Sequence, residues 1–104
     1  MDFRANKEYE MIQLKINLFG VLRKFASNAI IEINLEEPAT VESLLNKLSN
    51  NINGFNNLYK NQKKGIESGL IIVINNKEIS VLNGFRTFLK NGDMVDLIPI
   101  IHGG

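Results

Sequence analysis

Residues 11–20, Met11-Ile12-Gln13-Leu14-Lys15-Ile16-Asn17-Leu18-Phe19-Gly20, decide how the chain is read. Ile12, Leu14, Ile16 and Leu18 alternate with Gln13, Lys15 and Asn17. Successive side chains of an extended chain point to opposite faces, so this alternation predicts a strand with one face buried. Gly20 ends it. Residues 21–27 then read as a short helical turn with Val21, Leu22 and Phe25 on one side. A second alternation follows, Ile31, Ile33 and Leu35 against Glu32 and Asn34. Two strands joined by a short segment predict an antiparallel pair.

Further out, Glu36, Glu37 and Pro38 break the second strand, and Thr40 is a good N-cap. Val41, Leu44, Leu45 and Leu48 then recur at helical spacing and form the core stripe of an amphipathic helix, to which Ile52 could add a turn. Residues 49–69, rich in Asn, Gly and Lys, read as a long irregular connection. It would hold a helical turn near residues 55–59 and a solvated basic run, Lys60, Lys63 and Lys64. The unbroken Leu70-Ile71-Ile72-Val73-Ile74 predicts a strand buried on both faces. Asn75-Asn76 turns the chain into a return strand, Lys77-Glu78-Ile79. Asn83-Gly84 marks a bend, and Asn91-Gly92 precedes a last strand over residues 94–101. The order β-β-α-β-β-β is that of an α+β fold. Among the topologies this class allows, a first and last strand side by side at the centre give the β-grasp, or ubiquitin-like, roll: a mixed sheet of about five strands crossed by one main helix.

The whole chain has 104 residues, one domain's worth. Residues 1–10 lack periodicity and read as a disordered extension, which leaves residues 11–104 as the folded unit. With 12 Lys+Arg against 11 Asp+Glu, the net charge of +1 offers no general case for nucleic acid or an anionic membrane. The chain has no cysteine and one histidine, which excludes thiolate metal sites, disulfides and a cysteine nucleophile and disfavours a histidine metal site. No apolar run is long enough to span a bilayer, and the N-terminus carries no signal-like apolar stretch, so the expected compartment is the cytoplasm.

The ending is Asp96-Leu97-Ile98-Pro99-Ile100-Ile101-His102-Gly103-Gly104. A strand running into two glycines suits one chemistry well. A terminal carboxylate reacts only after its oxygen attacks the α-phosphate of ATP to give an acyl-adenylate, which sulfur or an amine can then attack. To do so the terminus must enter a narrow channel in another protein, and glycine lets the backbone pass closely in dihedrals that other residues avoid. The alternative is a frayed end with no role.

These residues resemble the MoaD/ThiS/Urm1 family of ubiquitin-like sulfur carriers, closest to the small subunit of molybdopterin synthase. Four segments carry the likeness: residues 16–23, Ile16-Asn17-Leu18-Phe19-Gly20-Val21-Leu22-Arg23; Thr40-Val41-Glu42-Ser43-Leu44; residues 70–78, with an Asn at the turn; and Leu89-Lys90-Asn91-Gly92-Asp93-Met94-Val95, followed by Leu97-Ile98-Pro99 and the Gly-Gly end. Two departures stand out. Pro99 is followed by Ile100 where many synthase small subunits carry a second proline, and His102 is similar to the ending of the eukaryotic ubiquitin-related modifier. The resemblance implies a non-enzymatic carrier with no bound cofactor. An E1-like, MoeB-like enzyme would adenylate Gly104 with ATP, and a sulfurtransferase would supply the sulfur of a thiocarboxylate. A MoaE-like large subunit would receive the tail and pass sulfur to cyclic pyranopterin monophosphate. The alternatives are a carrier for tRNA thiolation or protein conjugation, and an interaction module without tail chemistry.

Parity along the strands adds an interface. Phe19 shares the parity of Lys15 and Asn17, and Ile98 that of Asp96, so both apolar side chains fall on the nominally exposed sheet face. With Pro99, Ile100 and Arg23 they form the candidate partner surface; the alternative is that the loop of residues 49–69 covers this strand end. Arg23 would pair with a partner's acid or remain a solvated surface arginine. His102 and Gly103 would shape the tail.

Overall fold

The computed structural model describes residues 10–52, 55 and 69–100. Strand β1, Met11–Leu18, pairs antiparallel with β2, Ile30–Glu36. The pairing starts one residue earlier than the alternation, where the Glu37 amide donates to the Glu10 carbonyl at 2.8 Å. After β3, Ala39–Thr40, helix α1 covers Val41–Asn51. Strands β4, Leu70–Ile74, and β5, Lys77–Glu78, form a hairpin, and β6, Phe88–Leu89, and β7, Met94–Pro99, complete the chain. The main sheet has the order β2-β1-β7-β4-β5, and β3 with β6 makes a second, two-stranded sheet. Parallel pairing of β1 with β7 puts the first and last strands together at the centre, flanked by antiparallel neighbours. This is the α+β, β-grasp arrangement.

The core lies between the sheet and α1. Ile12, Leu14, Ile16 and Leu18 of β1, Val95 and Leu97 of β7, and Ile72 of β4 meet Val41, Leu44, Leu45 and Leu48 of the helix, all buried. Each such side chain contributes about 1.5–3 kcal/mol by leaving water. The helix begins where the N-cap chemistry requires: the Ser43 amide donates to Thr40 Oγ1 at 3.2 Å, and the Thr40 amide donates to Ser43 Oγ at 2.8 Å.

Several expectations are corrected. Ile71 is 39% exposed and Val73 half-buried, so β4 is covered on one face only. An uninterrupted apolar run cannot show which side a strand leaves open. Residues 20–25 form the expected turn, as a 3-10 helix that buries Leu22, but Val21 faces outward at 48% exposure. The helix runs through residues 49–51, and Ile52 caps it rather than adding a turn. Ile79 starts a 3-10 turn, Ile79–Val81, and does not extend β5. Strand β7 ends at Pro99, short of residue 101. The two-residue strands β3 and β6 carry too few positions for any periodicity to reveal them. The expected extension (apart from Glu10), the basic run Lys60, Lys63 and Lys64, and residues 56–59 of the expected turn lie outside the described residues. Phe55, its first residue, is helical and fully buried.

Candidate functional site

The candidate site is the end of β7 that leads to the tail. Register places the side chains. Leu18 stands beside Leu97 in the parallel β1–β7 pair, and the next amide along, that of Phe19, donates to the Leu97 carbonyl at 3.1 Å. On the other side, Ile71 pairs with Ile98 and Leu70 with Pro99. Because Leu97 and Ile72 point into the core, Phe19, Ile98 and Ile71 share the opposite face and form one apolar row across three strands. Phe19 is 38% exposed and Ile98 half-buried. Further from the tail the same face is mixed, with Asn17 beside Asp96 and Lys15 beside the apolar Met94. The unbroken apolar row lies where the tail departs.

Phe19 and Ile98 fall where strand parity put them. Ile71, read as buried, completes the row. Its side could have been inferred only from its partner, since pairing with Ile98 fixes the face that an apolar run conceals. Ile30, 46% exposed and opposite Asn17, also lies on this face.

The base of the tail is held rigidly. Gly20 adopts φ +58°, and a Cβ there would stand 3.2 Å from Pro99 Cγ. That close approach lets the turn Gly20–Phe25 pack against the last residue of β7. The Ile100 amide donates to the Gly69 carbonyl at 2.8 Å, so the backbone is tied for one residue beyond the strand. Pro99 and Ile100 are both half-buried. Arg23 is exposed on the adjoining turn. His102, Gly103 and Gly104 lie outside the described residues. Among the described residues, no three His, Cys, Asp or Glu side chains converge as metal ligands would, and no helix is long and apolar enough to cross a membrane.

Comparison with known proteins agrees with this architecture. The solution structure of the Haloferax volcanii HVO 2177 protein is similar at a TM-score of 0.76 and 23% identity, over 94% of this chain and 97% of that one. Small archaeal modifier protein 1 from Methanosarcina acetivorans is similar at a TM-score of 0.72 and 26% identity, over 91% of this chain and 99% of its own. A Pyrococcus furiosus chain assigned as subunit 1 of a molybdopterin converting factor gives a TM-score of 0.63 at 20% identity, over 86% and 99%. A comparison with curated proteins returns no match. The model of the ThiS family matches residues 16–104, a span that begins within β1 and includes α1, β7 and the Gly-Gly end. The chain belongs to the ThiS family.

Proposed function

We propose that this chain carries sulfur as a thiocarboxylate on Gly104. A carboxylate oxygen of Gly104 attacks the α-phosphate of ATP in an E1-like, MoeB-like enzyme, and pyrophosphate leaves. The terminal sulfur of a sulfurtransferase persulfide then attacks the acyl carbon and AMP leaves. A thiol reductant cleaves the S–S bond of the resulting acyl disulfide to free the thiocarboxylate. This chain contributes the reacting terminus, and the partner enzyme supplies the ATP site. The observation that carries the reading is a central strand, hydrogen-bonded on both sides, that presents an apolar row where it leads into Ile101-His102-Gly103-Gly104. A rigid base and a slender tail are what insertion into another protein's channel requires.

For the sulfur acceptor we propose cyclic pyranopterin monophosphate, reached through a MoaE-like large subunit of a cytoplasmic molybdopterin synthase. The likeness of residues 89–99 to that small subunit supports it. A second reading, a modifier joined to protein lysines or a sulfur source for tRNA, draws support from the 26% identity to small archaeal modifier protein 1.

Activation is tested by ATP–pyrophosphate exchange with an E1-like enzyme. Exchange should depend on this chain and disappear when Gly104 is deleted, and exchange that survives the deletion would overturn the proposal. The acceptors are separated by offering the thiocarboxylate form either the pterin precursor with a large subunit, or a lysine-bearing protein and tRNA. Sulfur appearing in the pterin supports the first reading, and an isopeptide or a thiolated tRNA supports the second.

A further inference from the structure

At the opposite end of β7 from the tail lies a cleft of about 360 Å3, lined by Ile74, Asn75, Lys77, Leu82, Thr87, Phe88, Lys90 and Asp93. Strand β7 rises about 3.3 Å per residue, so Met94 and Pro99 stand about 17 Å apart. The cleft is therefore separate from the apolar row of Phe19, Ile98 and Ile71.

Its chemistry is asymmetric. Ile74 is buried and Leu82 half-buried, giving an aliphatic floor. Phe88 projects beside them, 63% exposed, because β6 alternates and gives Leu89 to the core. Val81, on the neighbouring turn, is 72% exposed. Lys77 and Lys90 are exposed and form no ion pair among the described residues. Among the described residues Asp93 is the only acid lining the cleft, and both its oxygens are engaged, one by Asn75 Nδ2 and the other by the Lys90 amide, each at 2.8 Å. Glu78 turns one oxygen, Oε1, to its own turn, where it accepts from the amide and hydroxyl of Ser80. Two ammonium groups, unpaired among the described residues, thus flank an apolar floor bordered by an exposed aromatic ring. That combination complements negative charge around a large apolar side chain.

We propose that this cleft binds an acidic peptide segment of a partner protein, with one large apolar side chain seated on Ile74, Leu82 and Phe88 and carboxylates facing Lys77 and Lys90. The volume suits one or two side chains. Nucleic acid fits less well, since two lysines neutralise few phosphates and Asp93 stands on the same rim. Occupation of the cleft leaves the apolar row open. The inference does not depend on the tail chemistry.

The test titrates the 15N-labelled chain with a blocked peptide, Asp-Glu-Asp-Phe-Leu-Asp-Glu-Asp, and follows backbone amides by NMR. Saturable shifts are expected at Asn75, Lys77, Leu82, Thr87, Phe88 and Lys90, weakening as salt screens the charges. The double variant K77E/K90E should bind at least about tenfold more weakly, F88S should also bind less, and I98D should bind as the parent does. These are surface positions, and a dispersed amide spectrum verifies each fold. Should the double charge reversal perturb folding, F88S alone decides. The proposal is overturned by the absence of saturable shifts, by shifts centred on Phe19, Ile71 and Ile98, or by undiminished binding to a folded K77E/K90E or F88S. It is equally overturned if an oligouridylate shifts these amides and the peptide does not.

Discussion

A carboxylate placed at Ile98 and one placed at Leu97 have opposite consequences, although the two side chains are neighbours on β7. Leu97 is fully buried, so Leu97→Asp would bury an unpaired charge and unfold the domain. Ile98 is half-buried on the outer face between Phe19 and Ile71, where a new carboxylate stays hydrated. Ile98→Asp should keep its circular dichroism spectrum yet lose about fivefold or more in affinity for the activating enzyme, as loss of a desolvated anchor worth more than about 1 kcal/mol implies. A folded variant that binds as well as the parent would place the interface elsewhere. Gly20 shows how one residue supports that surface. Gly20→Ala would force a side chain into left-handed backbone at φ +58° and against Pro99. Strain of about 1–2 kcal/mol is expected, read by urea unfolding. Phe19 was legible because β1 alternates polar and apolar side chains, and Ile98 because Asp96 marks the outward parity of β7. Ile71 was not, because every neighbour in its run is apolar and only the register with Ile98 shows its face.

Among the elements, α1 was the most legible, since its start is written in side-chain chemistry as well as in spacing. Thr40→Ala removes the acceptor for the Ser43 amide and should cost about 1 kcal/mol. Combining it with Ser43→Ala should cost less than the sum of the singles, because both belong to one reciprocal cap. Strictly additive losses in denaturant unfolding would mean the two bonds form independently. The β4–β5 hairpin was legible from Asn75-Asn76 and the turn before the last strand from Asn91-Gly92, and Asn75, Asn76 and Gly92 do take positive φ. Asn75 does more than turn the chain: it donates to Asp93 and accepts from the Met94 amide, fixing the start of β7. That tertiary role leaves no local pattern. Nor does the pairing of β3 with β6, whose residues lie far apart in the chain.

At the scale of the whole molecule, folding and carrying are assigned to different residues. The buried core draws on β1, α1, β4 and β7, and no residue beyond Leu97 belongs to it among those described. Deleting Gly104 should therefore leave thermal stability unchanged to well under about 1 kcal/mol. The same deletion should abolish carrier chemistry. The most direct test is the intact mass of the full chain after incubation with an E1-like enzyme, ATP and a sulfurtransferase with its sulfur donor. A species heavier by one exchange of oxygen for sulfur, mapped to Gly104 and absent from the Gly104 deletion, is the expected result. A chain whose mass stays unchanged while the same enzymes load another member of the family, or a deletion variant that gains sulfur equally well, would contradict the assignment of Gly104 as the sulfur-bearing residue.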